Sequence, residues 1–165
     1  MTATASGTQA VWAFAEHEHR DLARGINRIH DVACEIGRRA TPDISVHVLD
    51  VLQWIDLTLE PHIAWEESWL YPEIDRRTGT QWATRAARFD HVQVRETAGR
   101  LHADESALIH DLGGDLQAEL RCHLFGLEAL LRAHIEREER FLIPLLDDDS
   151  SLVDDELPQP AARFG

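Results

Sequence analysis

Apolar residues recur every three or four positions through four long stretches of the chain. This spacing places them on one face of an α-helix, and no stretch of alternating apolar and polar residues competes with it. It predicts helices over about 11–38, 44–76, 81–112 and 115–146, separated by short turns. The apolar faces of the first two helices carry Leu22, Ile26, Ile29, Ala33 and Ile36, then Val48, Val51, Leu52, Ile55 and Leu59.

Four helices of about thirty residues joined by short turns predict an all-α protein, an antiparallel up-down-up-down four-helix bundle. Pro42 is expected to end the first helix, with Asp43 or Ser45 capping the second. Pro61 falls inside the second helix, where proline is expected to kink the chain just before His62.

The predicted bundle occupies residues 11–146 and accounts for nearly the whole chain. Residues 1–10 are small and polar and are predicted to form a disordered lead-in. Residues 147–165 are acidic, contain proline and lack a periodic apolar face, which predicts a disordered tail. At 165 residues, the chain is expected to form one domain with a sizeable core.

The two halves of the chain match each other at one fixed offset of 72 residues. The stretch PHIAWEESWLYPEID, which begins at Pro61, aligns with AHIEREERFLIPLLD, which begins at Ala133. The offset also pairs histidines of the first and third predicted helices. The bundle is therefore predicted to be a duplicated helical hairpin, with a pseudo-twofold axis that places equivalent side chains opposite each other.

Six side chains are predicted to converge near one end of this bundle. A histidine and a glutamate four residues apart share a helix face, and this pair occurs at 62–66 and again at 134–138. Two further histidines begin the first and third helices, which lie beside the ends of the second and fourth. The six residues are His19, His62, Glu66, His91, His134 and Glu138.

Buried imidazoles and carboxylates without partners would cost several kcal/mol per charge, and a bound dication removes that cost. Six nitrogen and oxygen ligands in two symmetric sets are too many for a structural zinc ion, which prefers four. Imidazole with carboxylate suits iron, manganese or zinc, and a mixed set around two ions is the di-metal carboxylate arrangement of helical bundles. The other interpretation is an ordinary buried polar cluster.

The spacing of these six residues resembles that of the hemerythrin-like, HHE cation-binding family, over about residues 11–146. The resemblance implies a non-haem di-iron centre inside a four-helix bundle, with a bridging oxo or hydroxo group. By that resemblance Glu66 and Glu138 would bridge the two irons, and the four histidines would be terminal ligands.

The chain differs from the oxygen-carrying hemerythrins at one ligand. Those proteins have a second histidine four residues from the one on the third helix, and an aspartate five residues after the one on the fourth. Here the positions four either side of His91 hold Ala87 and Arg95, and the second carboxylate is Glu138. The predicted ligand set thus has one imidazole fewer. Each iron would therefore keep an open coordination position, which inner-sphere chemistry requires.

The resemblance therefore implies reaction with dioxygen, peroxide or nitric oxide. We expect an oxidoreductase, either decomposing peroxide or using oxygen to oxidise a small molecule. The alternative is a carrier, scavenger or sensor of dioxygen or nitric oxide without turnover.

Charge and composition exclude other partners. A formal net charge of −14 argues against nucleic acid and against an anionic membrane surface. No apolar run approaches the ~20 residues that span a bilayer, and the N-terminus lacks the pattern of a signal peptide. Cys34 and Cys122 are predicted to be buried, reduced thiols. We expect a cytoplasmic protein with a small-molecule partner, in an oligomeric state that the sequence leaves open.

Residues near the proposed ligands have two interpretations each. Glu67 and Glu139 follow the ligand glutamates and either accept hydrogen bonds from ligand imidazoles or are solvated. Trp69 and Phe141 are expected to form an apolar cap over the site. Tyr71 is expected near the same end of the bundle, with a redox or ligand role as the less favoured interpretation.

His30, His102 and His123 each lie eleven residues from a proposed ligand, which is close to three helical turns. They would form a second layer ~16 Å from the first, with Glu105 also inclined inward. A second metal or proton-relay site is one interpretation. Separate hydrogen-bonded histidines are the other.

Overall fold

The chain folds as four consecutive helices. A computed structural model describes residues 5–38, 40–104 and 113–146, and these residues form helices and turns with no strand. Helix α1 spans Ala5–Glu35, and helix α3 spans Trp82–Ala103. The predicted all-α class is confirmed.

Helices α2 and α4 are composite. Helix α2 joins Thr41–Trp54, a π-helical turn at Ile55–Leu59, Glu60–Trp65, a second π-helical turn at Glu66–Leu70, and Tyr71–Thr78. Helix α4 joins Gly114–Arg137, a π-helical turn at Glu138–Leu142 and a 3-10 turn at Ile143–Leu146. Helix α1 packs against α2 and α4, and α3 packs against the same two helices, as in the predicted bundle.

Two predicted helix ends differ from the structure by more than three residues. Helix α1 begins at Ala5 rather than near Val11, so it includes positions 5–10, which the sequence assigned to a disordered lead-in. Apolar periodicity marks only the part of a helix that contacts the core, whereas extending an existing helix outward costs little. Helix α3 ends at Ala103 and Asp104 forms a turn, so the helix predicted to reach 112 is interrupted there. The described residues do not include 1–4, the segment 105–112 that contains Glu105, or the tail at 147–165.

The predicted cap of α2 was wrong. The helix begins at Thr41, its N-cap is Ala40, and no side chain caps it. Pro42 lies in the first turn of α2 instead of ending α1, because a first-turn residue needs no N–H partner within the helix. The chain leaves α1 through Gly37, whose φ of 82° suits glycine.

Each π-helical turn is followed, two positions after its last residue, by a proline: Pro61, Pro72 or Pro144. Proline has no N–H to donate, and its ring clashes with the carbonyl four residues back. An added residue in the preceding turn relieves that conflict. The change of helical geometry expected at Pro61 therefore takes the form of a π-helical turn at Ile55–Leu59.

The apolar core is divided into two clusters by a polar layer. The larger cluster contains every residue predicted for the inner faces of the first two helices, together with Leu101, Leu120, Leu124, Leu127 and Leu131. The smaller cluster lies toward the other end of the bundle and consists of Leu70, Tyr71, Ile74, Ala87, Leu142 and Leu146. Glu66 on α2, His91 on α3, and His134 with Glu138 on α4 come between residues of the two clusters along the chain. The fold thus places them where water is excluded from both sides.

Candidate metal centre

The structure brings all six predicted ligands together. Each of them is at most 5% exposed. Their donor atoms form two overlapping groups, within each of which the atoms lie within 4.8 Å of one another. The first group is His19, His62, Glu66 and Glu138, and the second is Glu66, His91 and His134. Because Glu66 belongs to both groups, the cluster has the layout of two adjoining positions.

Each glutamate lies between histidines of both halves of the chain. Oε1 of Glu66 is 2.8 Å from Nε2 of His62, while its Oε2 is 3.1 Å from Nε2 of His91. Oε2 of Glu138 is 3.4 Å from Nε2 of His19 and 3.6 Å from Nε2 of His134. Both carboxylates are therefore placed to span two cation positions.

The donor atoms are oriented toward the centre of the cluster rather than toward hydrogen-bond partners. Among the described residues, both oxygens of Glu66, Oε2 of Glu138 and Nε2 of His62 are buried and have no hydrogen-bond partner. The 2.8 Å approach of His62 and Glu66 lacks the angles of a hydrogen bond. Buried polar atoms left in this state are costly, and cations placed among them would remove the cost. Nitrogen and oxygen donors in this ratio fit iron, manganese or zinc.

The pKa values of His62 and Glu66 reflect the close packing of imidazoles and carboxylates in the cluster. Burial lowers the pKa of His62, but Glu66, with Glu18 and Glu138, outweighs that effect and raises the pKa to about 9. Burial raises the pKa of Glu66, yet the neighbouring histidines, His62 first, hold it well below its usual range. The carboxylate of Glu66 is thus kept ionised in the interior, with protonated His62 in the place of a metal cation.

Two carboxylates outside the cluster orient histidines of the predicted ligand set. Nδ1 of His91 lies 3.0 Å from Oε1 of Glu67, and Nδ1 of His19 lies 3.1 Å from Oε1 of Glu139. An imidazole that donates its Nδ1–H to a carboxylate presents the lone pair of Nε2 to a metal. Of the two interpretations of Glu67 and Glu139, hydrogen bonding to ligands is therefore confirmed.

Two more outer carboxylates were missed by the sequence analysis. Oδ2 of Asp90 lies 3.6 Å from Nδ1 of His134, and Oε2 of Glu18 lies 3.8 Å from Nδ1 of His62. Each immediately precedes one predicted ligand in the chain but faces a different one on the adjacent helix. Their relation by the 72-residue offset was the available signal. All four histidines thus have Nε2 toward the centre and Nδ1 toward a carboxylate.

Tyr71 is fully buried against the cluster. Its hydroxyl donates to Oε1 of Glu138 at 2.6 Å and lies 3.1 Å from Nε2 of His91. Burial, and then the charges of Glu66 and Glu138, raise the pKa of Tyr71, so the phenol keeps its proton at neutral pH. The equivalent residue of the other half is the buried Ile143. The phenol is therefore present on one side of the pseudo-twofold axis only.

A small cavity adjoins three of the histidines on the side of the larger apolar cluster. Its volume is about 10 Å³, close to the space needed by one water-sized molecule. Apart from the histidines its lining is apolar or aromatic. The lining residues are Leu22, Ile26, Trp54, Leu59, His62, Ile63, His91, Leu131, His134 and Ile135.

The expected aromatic cap was wrong in one half. Trp69 is partly buried and stacks on Trp65, with ring centroids 5.3 Å apart. Phe141 is 65% exposed and does not cover the cluster. Both residues lie in equivalent π-helical turns, and what differs is the neighbour: Trp69 stacks on Trp65, whereas the position equivalent to Trp65 in the other half holds Arg137.

The proposed second layer does not form a site. The three histidines lie apart, each facing a carboxylate of its own, and no potential metal group within the described ranges includes them. The pairs are His30 with Glu128 at 2.9 Å, His102 with Asp56 at 3.1 Å, and His123 with Asp104 at 3.9 Å. Burial of the thiols was also wrong, since Cys34 is partly exposed and Cys122 is exposed.

A buried layer of imidazoles and carboxylates across a four-helix bundle defines a helical metal-binding domain. The family model described as hemerythrin HHE cation binding domain matches residues 11–152. The chain belongs to this family, which confirms the resemblance. Comparison with curated proteins and with solved structures found no match. No helix in the described part of the chain is long and apolar enough to cross a membrane.

Proposed function

We propose that the chain holds two iron ions among the six residues and is an oxidoreductase acting on dioxygen, peroxide or nitric oxide. Decomposition of hydrogen peroxide is the simplest such reaction. The family, the donor set and the unsatisfied buried atoms support the metal. Glu66 and Glu138 would bridge the two positions, and the four histidines would complete them.

The observation that carries a catalytic function is the hydroxyl of Tyr71 among the donor atoms. A site for storage or structure needs ligands alone, whereas reduction of peroxide needs a proton at the oxygen that leaves. Tyr71 holds such a proton 2.6 Å from Glu138, in a place that bulk water does not reach. Glu138 accepts the hydrogen bond of the phenol and so holds its proton-bearing oxygen beside the donor atoms of the cluster.

Bound iron supplies open coordination positions and accepts or donates electrons. Two molecules of hydrogen peroxide give two of water and one of dioxygen, so one is reduced by two electrons and the other is oxidised by two. The reaction needs no external reductant. The residues of the chain orient the ions, exclude bulk water and limit entry to molecules of a few atoms, because the cavity is small.

A non-catalytic carrier, scavenger or sensor is the second candidate. The apolar lining of the cavity favours it, because dioxygen and nitric oxide have few hydrogen-bonding requirements, unlike peroxide. This function would use the same ions and cavity without proton transfer from Tyr71.

Metal analysis of the purified protein, with the optical spectrum and oxygen release recorded before and after addition of peroxide, separates the candidates. Two irons per chain and one dioxygen released per two peroxides support the enzyme. A stable, reversible oxygen adduct without turnover supports the carrier.

His134→Ala should lose metal, and His17→Ala provides the matched control. His17 is exposed and lies two residues from His19. Less than one metal per chain, unchanged in His134→Ala, rejects the whole site.

A further inference from the structure

We propose that Arg95 is a positioning residue that fixes His91 through Glu67, and that it makes the two metal positions unequal. The inference rests on the metal binding proposed above. It concerns a residue that touches no donor atom of the cluster.

Arg95 is held by two carboxylates of α2. Its Nη1 donates to both oxygens of Glu67, at 2.9 and 3.1 Å, while Nε and Nη2 donate to Oε1 of Glu60 at 2.9 and 2.7 Å. A planar guanidinium bound on two edges has a fixed direction, which a flexible ammonium group would lack. Since the side chain of Arg95 is 37% exposed, these ion pairs add little to stability.

Arg95 matters because Glu67, which it holds, is also hydrogen-bonded to His91. Oε1 of Glu67 accepts from Nδ1 of His91 at 3.0 Å, and Nε2 of the same ring faces Oε2 of Glu66 at 3.1 Å. A continuous path therefore runs from the surface to the centre through Arg95, Glu67 and His91. Holding the carboxylate fixes the orientation of the ring, and the ring directs its lone pair.

Among the described residues, the equivalent positions of the other half form no such path. At the 72-residue offset, Ala23 corresponds to Arg95, and a methyl group cannot hold a carboxylate. Arg132 corresponds to Glu60, and it donates to Glu128 and Asn27 instead. The carboxylate that faces His19, Glu139, is 52% exposed, against 31% for Glu67. Identical ligands are thus supported differently on the two sides.

The expected consequence is a stronger hold on the ion bound by His91 and His134. A pre-oriented imidazole does not have to be ordered when the metal binds, so less of the binding free energy is lost. Loss of a partner outside the ligands typically weakens metal binding by about 10- to 100-fold.

Titration of the full metal-free chain with Co²⁺, in competition with a chelator, tests this inference. The natural chain should give two dissociation constants, the tighter one belonging to the position of His91. Arg95→Ala should weaken that position by about tenfold and leave the other within about twofold. Glu67→Ala should weaken the same position, and the double variant should be no weaker than Glu67→Ala alone. Arg95→Lys should restore binding only in part.

Arg132→Ala is the matched control. Arg132 is 49% exposed and joins α4 to α1, but it contacts none of the four outer carboxylates. It should change neither dissociation constant. Circular dichroism identifies any variant that fails to fold, and the solvent exchange of the Nδ1 proton of His91, seen among the Co²⁺-shifted NMR signals, should accelerate only without Arg95 or Glu67.

Equal weakening of both positions, or none, in Arg95→Ala overturns the inference while leaving the two-metal site intact. A natural chain that binds fewer than two Co²⁺ ions overturns the proposed function and the inference together.

Discussion

The hydroxyl of Tyr71 donates a 2.6 Å hydrogen bond to Oε1 of Glu138, one of the two carboxylates proposed to bridge the metal positions. The matching residue of the other half, Ile143, offers no such group. The internal repeat therefore gives both halves the same predicted ligands, whereas the phenol is present in one half only. The two sides differ again at Arg95 and Ala23.

Replacing Tyr71 by phenylalanine separates metal binding from proton transfer. Tyr71→Phe should keep two irons, because all six predicted imidazole and carboxylate ligands remain. Peroxide decomposition should fall by about 100-fold, the usual effect of losing a general acid. Oxygen evolution at matched iron content measures this. Ile143→Val is the control, and an unchanged rate in Tyr71→Phe would remove the phenol from the mechanism.

Glu66 is common to both donor groups, whereas His62 belongs to one. Glu66→Ala should therefore reduce bound metal to less than one ion per chain, and His62→Ala should leave about one. Metal analysis after loading and desalting gives the two numbers. Equal retention in the two variants would show that Glu66 does not connect the positions.

The metal-free chain should lose stability as the pH rises through about 9. His62 has a pKa of about 9 when folded and an ordinary value of 6.5. Its protonated form therefore contributes stability that is complete below about 6.5 and disappears above about 9. The full contribution is on the order of 3 kcal/mol.

Burial lowers the pKa of His134, but Glu66 and Glu138 outweigh that effect and raise it. Protonated His134 therefore contributes stability that is lost as the pH rises, as His62 does. Urea unfolding between pH 6 and 10 measures the loss, and His62→Asn should flatten the curve. A metal-free chain that is equally stable at both ends of this range contradicts the prediction.

The indole of Trp54, which lines the cavity, packs directly against Gly25 and leaves no space there for a side chain. A Cβ at Gly25 would lie 2.0 Å from Cε2 of that ring, so Gly25→Ala must displace it. We expect a loss of about 1–3 kcal/mol from overpacking, together with a change in the reaction rate with nitric oxide.

Gly99→Ala is the matched control for this substitution. A Cβ at Gly99 meets nothing within 4 Å, so it should stabilise α3 by about 0.5–1 kcal/mol. Thermal unfolding compares the two variants, and a stabilised Gly25→Ala would show that Trp54 moves without cost.

The sequence alone predicts the features that follow from the regular repeat of an α-helix. The inner faces of the helices and the six clustered side chains all follow from spacings of three, four and seven, and from the internal repeat. It was insufficient where neighbouring helices must be rotated correctly against each other. Glu18 and Asp90 were missed because each faces a histidine on another helix, and sequence spacing carries no information about that rotation.

Arg95 illustrates a different limit. In the sequence it was notable only as a position without a ligand histidine. Its function depends on two carboxylates of α2, one of which, Glu60, belongs to no motif. A side chain that acts through its partners becomes recognisable only when the partners are in place.

The π-helical turn that begins at Glu66 determines which side chain follows the ligand into the site. In a regular α-helix, the side chain five residues after a given residue points about 140° away from it around the helix axis. Here the N–H of Tyr71 closes on the carbonyl of Glu66, which brings Tyr71 back above it. A regular α-helix of the same sequence would turn Tyr71 away from Glu138, whereas deletion of Ser68 would make Tyr71 the fourth residue after Glu66 and keep it on the same face. The position of the phenol therefore depends on the local helical geometry of α2 as much as on its residues.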